Sequence, residues 1–520
     1  RIKTIVIHAP RGVIFDRNGK PLVFNVPGFR QVTDGKTKLI GQDEAIDLIA
    51  KGEKNLEIDS LRLYPEKDSM THVLGYLGQV SEEELKTSKY AGYKSGDVIG
   101  KNGIEREYES FLKGLDGKQL AEIDSQGRVV RKLGETDPIP GRNITLTIDA
   151  DLQKRAYNAM SKAKRGAVIA TTPDGQVLAL VSKPSFDPNL FTQGKDYKVS
   201  GGSAYKNVTE VLIDSTSQPF LNRAISGLYP PGSTFKLITA AAGLENNIID
   251  KNYFVKDTGV VKIGEFSFAN WYFTNYGRTD GDVNVVTGIK RSNDIFFYKL
   301  AEKIGHERLS KMAREFGIDK VLGIDLGGEI SGLVPTDAWK KENIGEPWYL
   351  GDTYHYGIGQ GYLLSTPLSV NSWTQAIAAD GTLYRPHILK DLGNKKINEK
   401  FISKKTIDPI REGMIASCAP SGVAYPLFDF KVKNADLKID GKNILKVATG
   451  SADMRQITVA CKTGTAQHGG EKTLPHAWIT LFAPAYDPQI VVTVLNEESG
   501  EGSNEAAPIA REVLEEWFTK

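Results

Sequence analysis

The segment Tyr229–Lys236, read as Tyr-Pro-Pro-Gly-Ser-Thr-Phe-Lys, places a serine hydroxyl and a lysine amine three residues apart at the start of an apolar stretch. Residues i and i+3 of a helix face the same way, so Lys236 can lie beside Ser233 and accept its proton. The Pro-Pro-Gly lead-in suits a helix start. An amine packed against apolar turns is costly to keep charged, which lowers its pKa toward that of a general base. The pattern predicts acyl transfer by a serine that a lysine activates.

Ser-x-x-Lys alone is weak evidence, because the chain contains three further matches to it. Two downstream motifs distinguish the match at Ser233. Residues Ser292–Asp294 read Ser-Asn-Asp, and Lys462–Gly464 is the only Lys-Thr-Gly in the chain. These three motifs in this order are the signature of the penicillin-recognising serine acyl-transferases.

Over nearly its whole length the chain resembles the class B penicillin-binding proteins, and within that class the elongation-type penicillin-binding protein 2. The resemblance rests on the three motifs and on segments spread along the chain, which are Arg11–Lys20, His72–Val80, Gly100–Glu109, Asn222–Ser233, Gly357–Gly361, Lys462–Gln467 and Ala506–Arg511. It implies an α+β (α/β) architecture. The penicillin-binding transpeptidase fold, an antiparallel sheet with helices on both faces, is expected together with an elongated N-terminal pedestal domain.

The composition is that of an ordinary globular protein with two or three domains. Of the 520 residues, 40% are hydrophobic and 25% are charged, which argues against a disordered chain. Lys and Arg number 66 against 64 Asp and Glu, a formal net charge of +2, so no nucleic-acid partner is expected. No apolar run approaches the ~18 residues of a membrane-spanning helix.

The Pro-Ile-Pro-Gly sequence at 138–141 marks a predicted domain boundary. We expect residues 1–140 to form the non-catalytic pedestal, a candidate for dimerisation and partner binding, and residues 141–520 to form the transpeptidase domain. The predicted elements of the second domain include strands over 144–148, 166–170, 177–181, 459–463, 478–482 and 490–495, helices over 149–163 and 506–518, and an insertion over 427–457.

Ser233 is the predicted nucleophile, and it needs a neighbouring base because a serine hydroxyl is a poor nucleophile at its own pKa. Lys236 is the candidate base. Free N–H groups at the start of the helix favour the negative charge that develops during attack. The resemblance further implies that the backbone N–H groups of Ser233 and Thr465 form the oxyanion hole.

The second motif is expected to serve the first. Ser292 is predicted to relay a proton between Lys236 and the leaving amine, since a hydroxyl can donate and accept. It could also cap the helix that follows, and the two roles are compatible. Asp294 stands where many relatives have Asn, and a carboxylate there would raise the pKa of Lys236 or pair with it. Asn293 is expected to bind substrate.

The third motif is predicted to lie on a strand at the edge of the site. Lys462 can hold the terminal carboxylate of the substrate, and the hydroxyls of Thr463 and Thr465 can donate hydrogen bonds to it. Gly464 would let the substrate approach the strand backbone closely. Cys461 replaces the Gly that is more usual in the family, and a small buried side chain is expected there.

Little in the chain suggests a metal or another cofactor. Cys418 and Cys461 could pair in an oxidising compartment, but we expect two free, partly buried thiols. Some relatives hold a zinc ion between the first two motifs, whereas residues 237–291 contain neither His nor Cys. The glycine-rich segment Gly357–Gly361 lacks the strand–helix context of a phosphate site. We therefore expect no cofactor and no metal.

The motifs and the resemblance together predict a peptidoglycan D,D-transpeptidase, which cross-links stem peptides ending in D-Ala-D-Ala and is acylated by β-lactam antibiotics at Ser233. A β-lactamase shares the motifs, but the chain has no clear Glu-x-x-x-Asn loop to activate a deacylating water, and such an enzyme needs no pedestal. A non-catalytic β-lactam sensor or cell-wall scaffold is a third hypothesis, against which the intact motifs argue.

The resemblance also implies partners and a location. The expected partners are a membrane glycan polymerase and elongation scaffold proteins. A single-pass anchor is expected upstream of Arg1, with the catalytic domain on the outer, periplasmic side of the cytoplasmic membrane. From the residues alone, a complete soluble protein is the alternative.

Overall fold

The computed structural model describes residues 1–33, 36–53, 56–125, 129–194, 197–434, 437, 444–446, 454–470 and 473–520. In the N-terminal third, the strands are Ile2–Ile7, Ile14–Phe15, Pro21–Thr33, Lys36–Ile40, Leu56–Leu63, Leu77–Gln79, Val98–Gly100, Gly117–Ile123, Val129–Thr136 and Ile144–Thr145. The α-helices there are Gln42–Ala50, Thr71–Leu74, Glu82–Leu85, Gly103–Glu107 and Glu109–Leu112. This part of the chain is therefore mainly β-structure with short helices.

The remainder of the chain is mainly helical around one large sheet. Its α-helices are Ala150–Ala159, Val208–Ile213, Arg223–Ser226, Lys236–Glu245, Trp271–Tyr276, Val285–Arg291, Asp294–Ile304, His306–Glu315, Asp337–Asn343, Leu350–Gly357, Pro367–Ala378, Lys404–Ser417, Gly502–Glu505 and Ala507–Thr519. Its shorter strands are Val255–Lys256, Val260–Ile263, Phe266–Ala269, Asp282–Val283, Leu383–Tyr384, Lys396–Asn398, Lys431–Lys433, Ile444–Lys446 and Met454–Ile457.

The large sheet has five strands, and every neighbouring pair is antiparallel. In spatial order the strands are Val177–Lys183, Gly166–Thr171, Ile490–Asn496, His476–Ala483 and Ala460–Ala466. Three of them are buried at every residue. Strands covered on both faces have continuous apolar sequences instead of alternating ones, which is why these runs stand out in the sequence.

Helices cover both faces of this sheet. Ala150–Ala159 and Ala507–Thr519 share one apolar core with one face. Lys236–Glu245 and Pro367–Ala378 belong to the core on the other face. Pro367–Ala378 is buried along its whole length. The predicted fold class, an antiparallel sheet with helices on both faces and a separate N-terminal region, is confirmed.

Two predicted elements of the second region are described only in part or differ from the expectation. The strand predicted over 144–148 forms only at Ile144–Thr145, where it pairs in parallel with Ile14–Phe15 of the N-terminal region. Beyond it the backbone of Thr147 turns to the carbonyl of Ile388 instead of continuing the ladder. Part of the insertion predicted over 427–457 lies outside the described residues, and the strands of its described part form a small antiparallel sheet.

The N-terminal region is held together by buried ion pairs. Glu105 is fully buried between Arg11 and Arg62, at 2.8 and 2.7 Å. Glu109 accepts a second bond from Arg11 at 2.9 Å. Removing one partner of such a group would leave an uncompensated buried charge, so these residues fix the local arrangement of strands and short helices.

Aromatic contacts join the N-terminal region to the catalytic region. Tyr76 packs against Phe186, Phe191 and Phe220, with ring centroids 4.4 to 5.9 Å away. At another point the Tyr108 hydroxyl donates to Asp325 at 2.7 Å. Both contacts join residues more than 100 positions apart, so the two regions pack as one continuous structure along this junction.

The two cysteines form a disulfide, so the expectation of two free thiols is wrong. Cys418 follows the helix Lys404–Ser417, and Cys461 lies in the edge strand Ala460–Ala466. Helix and strand pack side by side and bring the two Cα atoms to 5.9 Å, within the range that a disulfide spans. The cysteines are 43 positions apart in the sequence, so spacing alone could not reveal this proximity. Within the described ranges, none of the helices combines the length and apolar character that crossing a bilayer requires.

Candidate active site

Ser233 lies in a single 3₁₀ turn, Gly232–Phe235, that leads directly into the helix Lys236–Glu245. Two hydrogen bonds hold this turn in place: Gly232 N donates to Gly359 O at 2.9 Å, and Thr234 Oγ1 donates to Pro231 O at 2.8 Å. Ser233 is half-buried. The predicted placement of a serine at a helix start, with a lysine one turn on, is therefore what the backbone forms.

Lys236 is fully buried and its amine is surrounded by acceptors of the second motif. Nζ contacts Ser292 O at 2.8 Å, Ser292 Oγ at 3.2 Å and Asp294 Oδ1 at 2.7 Å. Burial lowers the pKa of Lys236 below its ordinary value, and the carboxylate of Asp294 partly opposes that effect. The amine is thus close to the Ser292 hydroxyl and to a counter-charge at once.

Ser292 adopts a left-handed backbone conformation, with φ 54° and ψ 39°, between the helices Val285–Arg291 and Asp294–Ile304. Non-glycine residues in this region are uncommon and cluster at functional sites. The kink places the hydroxyl of Ser292 between Lys236 and Lys462. The alternative role, capping the next helix, belongs to Asn293, whose side chain accepts from Phe296 N at 2.9 Å.

Asn293, which we expected to bind substrate, has its whole amide engaged within the protein. Besides the cap, its Nδ2 donates to Asp257 Oδ2 at 2.8 Å and to Asp280 Oδ2 at 3.0 Å, and the residue is fully buried. These bonds leave no free amide group to face a ligand. We therefore assign Asn293 a role in positioning the second motif.

Lys462 lies on the edge strand of the sheet, and it too is fully buried. Its Nζ contacts Ser292 Oγ at 2.8 Å and Thr463 O at 2.8 Å. Burial lowers the pKa of Lys462 well below its ordinary value, and the charge of Lys236 adds to that effect. Strand order therefore brings the third motif against the second across a gap of 170 residues.

Thr463, Gly464 and Thr465 continue this strand, and the strand contacts the Ser233 turn. A Cβ added to Gly464 would lie 3.1 Å from Thr234 Cγ2 and from Trp478 Cβ, so only glycine fits without movement. A Cβ added to Gly232 would lie 3.1 Å from Thr465 O, so the Gly232–Phe235 turn touches the strand there. Thr463 is buried and Thr465 is exposed.

One predicted contact does not form. In the part of the chain that the structure describes, the hydroxyl of Ser233 makes no hydrogen bond, and the amine of Lys236 bonds to the second motif instead. An ammonium has three donors, and three acceptors surround it here. Lys236 must therefore lose a proton, and with it one of these hydrogen bonds, before it can take the proton of Ser233.

Sequence reasoning missed residues that support the site from behind. Gly359 has φ +78°, and a Cβ there would overlap Gly232 O, so the glycine-rich segment packs directly behind the Gly232–Phe235 turn. Asp257, Asn270 and Trp271 contact the second motif. The unusual glycine spacing was a usable signal for Gly359, whereas nothing in the pattern marks the other three.

Comparison with known proteins agrees with the family resemblance of the three motifs. The family model described as "Penicillin binding protein transpeptidase domain" matches residues 166–515, and "Penicillin-binding Protein dimerisation domain" matches residues 53–146. The chain is 34% identical to "Peptidoglycan D,D-transpeptidase MrdA" of Haemophilus influenzae over 88% of this chain and 69% of that protein. It is 31% identical to the protein of that name from Escherichia coli over 96% and 85%.

Two solved structures resemble the whole chain. The penicillin-binding protein PBP2 of Helicobacter pylori in complex with MreC has a TM-score of 0.79 and 27% identity, covering 99% of this chain and 98% of that one. PBP2 of Pseudomonas aeruginosa in complex with WCK 5153 has a TM-score of 0.74 and 33% identity, covering 100% and 97%. With the three motifs assembled as described, the chain belongs to the penicillin-binding protein transpeptidase family, and within it to the PBP2 type.

Proposed function

We propose that this chain is a peptidoglycan D,D-transpeptidase that cross-links stem peptides through an acyl-enzyme on Ser233. The observation that carries the proposal is the convergence of Lys236 and Lys462 on Ser292 Oγ, at 3.2 and 2.8 Å, beside the turn that presents Ser233. This arrangement joins a depressed-pKa amine, a relay hydroxyl and an anion-binding cation in one buried cluster.

Acylation begins when Ser233 Oγ attacks the carbonyl of the penultimate D-Ala and its proton passes to neutral Lys236. The negative charge on the carbonyl oxygen is stabilised by the backbone N–H groups of Ser233 and Thr465. As the tetrahedral intermediate collapses, the bond to the terminal D-Ala breaks. Its nitrogen receives the proton from Lys236 through Ser292, which donates one proton while it accepts another.

Deacylation repeats these steps in reverse with a different amine. An amine of a neighbouring stem attacks the Ser233 ester, gives up a proton through Ser292 to Lys236, and forms the new amide. Ser233 then leaves with that proton. No net change in protonation remains after one cycle, so the same two groups serve as acid and base in both halves.

The edge strand supplies the binding part of the site. Lys462 can attract the terminal carboxylate of the donor stem, and the hydroxyls of Thr463 and Thr465 can hydrogen-bond to it. Gly464 leaves the strand backbone open to a peptide lying along it. A β-lactam carries an equivalent carboxylate next to a strained amide, which accounts for acylation of Ser233 by these drugs.

The test is the intact mass of the protein after incubation with a penicillin, for the wild type and for Ser233→Ala. We expect a stable adduct of one drug mass that is absent from the variant. Rapid return to the native mass with hydrolysis of the drug would favour a β-lactamase instead. Absence of any adduct in the wild type would contradict the assignment of Ser233.

We also assign the N-terminal region, residues 1–140, to partner binding, with residues 141–520 forming the transpeptidase domain. Support comes from a related PBP2 solved in complex with MreC, and from a related chain in a structure described as a peptidoglycan synthase complex. On this proposal the partners are a membrane glycan polymerase and an elongation scaffold protein. On the same proposal, the transpeptidase domain acts at the outer face of the cytoplasmic membrane, where the stem peptides are located. Cross-linking of the whole chain to the polymerase, with the cross-linked residues located by mass spectrometry, tests the assignment, and cross-links confined to residues 141–520 would contradict it.

A further inference from the structure

Asp257 is a buried carboxylate that accepts four hydrogen bonds behind the second motif. Its Oδ1 accepts from Gly259 N at 2.8 Å. Its Oδ2 accepts from Asn270 Nδ2 at 2.9 Å, Asp280 N at 2.9 Å and Asn293 Nδ2 at 2.8 Å. The residue is only 4% exposed. Four donors satisfy a carboxylate fully, so this group is the centre of a rigid polar network.

One arm of the network reaches the catalytic lysine. Asn270 receives the backbone N–H of Asp294 on its Oδ1 at 3.1 Å while its Nδ2 donates to Asp257. Trp271 N donates to Asp294 Oδ2 at 2.9 Å. The other oxygen of Asp294 contacts Lys236 Nζ at 2.7 Å. Asp257 is therefore linked to Lys236 by three hydrogen bonds in sequence, which pass through the side chain of Asn270 and then through the backbone N–H and the carboxylate of Asp294.

The other arm fixes the backbone of Ser292. Asn293 donates to Asp257 and to Asp280, and Asp280 in turn accepts from Arg291 Nε at 3.0 Å. Residues on either side of Ser292 are thus anchored to the same centre. A left-handed conformation costs a non-glycine residue about 1 kcal/mol or more, so it persists only when the surroundings impose it.

We propose that Asp257 is a positioning residue for transpeptidation: it holds Ser292 and Asp294 in register with Lys236 through Asn270 and Asn293. This inference rests on the proposed function and adds a group that none of the three motifs contains. Within the described ranges, the hydrogen bonds of Asp257 reach neither the Gly232–Phe235 turn nor the edge strand, so it should affect the rate of the chemical step more than the binding of the carboxylate.

The residues around Asp257 do not form a zinc site. Asp257 Oδ2 accepts from two side-chain amide N–H groups and one backbone N–H, which leaves this oxygen no lone pair for a cation. Residues 237–291, all of which the structure describes, contain no His or Cys to serve as soft ligands. The zinc ion found between these motifs in some relatives does not fit this donor set. Here hydrogen bonds hold the segment between the first two motifs in place.

The test compares acylation by a fluorescent penicillin in rapid-mixing experiments, which separate the acylation rate constant from the initial dissociation constant. In Asp257→Asn the amide must turn an N–H toward donors, and in Asn270→Ala the link to Asp294 is lost. We expect both to slow acylation about 10- to 100-fold, the scale set by small errors in catalytic alignment, with the dissociation constant changed less than about twofold. The bound drug at completion should stay near one per chain.

The control is Asp187→Asn, which alters another buried carboxylate that accepts bonds from Asn189 and Tyr197 in the junction with the N-terminal region. It should lower the melting temperature without slowing acylation. Dialysis of the wild type against a chelator should leave its rate unchanged.

The inference is overturned if both network variants acylate at the wild-type rate, or if bound drug falls in proportion to the rate, which would indicate unfolding. A rate that drops on chelation and returns with zinc would overturn the metal-free arrangement. A wild type that is not acylated at all would instead contradict the proposed function.

Discussion

Lys236 and Lys462 share a single acceptor, the hydroxyl of Ser292, which lies 3.2 Å from one amine and 2.8 Å from the other. Both lysines are buried, and burial lowers the pKa of each. The charge of Asp294 offsets part of the pKa shift at both amines, but Asp294 also accepts a hydrogen bond from Lys236, while the charge of Lys236 adds to the shift at Lys462. Of the two, Lys236 therefore keeps its proton more readily in the free protein.

Binding of an anionic ligand should be coupled to proton uptake at Lys462. A carboxylate beside this amine restores the pKa that burial has lowered, so the bound state holds a proton that the free state lacks at higher pH. In the Ser233→Ala variant, where penicillin binds reversibly, we expect affinity to fall as the pH rises. Calorimetry in buffers with different ionisation enthalpies measures the proton taken up.

Two comparisons test this coupling. Lys462→Gln should remove the proton uptake, and a penicillin methyl ester, which lacks the carboxylate, should bind Ser233→Ala with little pH dependence. Affinity that increases with pH, or equal proton uptake in the Lys462→Gln variant, would contradict the assignment of Lys462 as the anion-binding cation.

Asp294→Asn should move the acidic limb of the pH–rate profile for acylation to lower pH. The carboxylate raises the pKa of Lys236, so its removal lets burial depress that pKa further and makes the neutral amine available at lower pH. The maximal rate should fall about 10- to 100-fold, because the amine also loses its alignment. Acylation rates of wild type and variant across the pH range provide the measurement, and a limb that moves to higher pH would refute the argument.

The sequence identified the motif residues because their chemistry is local to short patterns. The structure brings Lys236, Ser292, Asp294 and Lys462 within hydrogen-bonding distance, as their order and the family resemblance suggested. The buried strands of the large sheet could also be predicted, since each is a continuous apolar run. The roles of the four motif residues in turnover stay predictions until they are measured.

What could not be predicted depends on contacts between distant segments. Asn293 was expected to face substrate, but it turns toward Asp257 and Asp280, which a linear pattern cannot locate. The pairing of Cys418 with Cys461 depends on how one helix packs against the edge strand. In both cases the decisive information is the tertiary position of a partner more than ten residues away in the chain.

The disulfide should stabilise the edge strand that carries Lys462. A cross-link that closes a loop of 43 residues contributes about 4 kcal/mol by the loss of chain entropy in the unfolded state. We expect Cys418→Ala/Cys461→Ala to unfold at lower denaturant concentration by about this amount. Added reductant should destabilise the wild type similarly and leave the double variant unchanged. The thiols of the reduced wild type are alkylated so that the bond cannot re-form. If the reduced and alkylated wild type unfolds at the same denaturant concentration as the oxidised protein, the role assigned to the disulfide is contradicted.

Gly359→Ala should disable the nucleophile turn, although this residue belongs to none of the three motifs. Its φ of +78° and the overlap of an added Cβ with Gly232 O mean that the turn bearing Ser233 must shift. Gly393→Ala is the matched control, because Gly393 also has positive φ, +64°, with open space around it. The control should cost only the conformational penalty of about 1 to 2 kcal/mol and acylate normally. Gly359→Ala should lose more stability and acylate more slowly, as melting curves and penicillin labelling can measure. Equal behaviour of the two variants would show that backbone strain alone, and not support of the turn, is the role of Gly359.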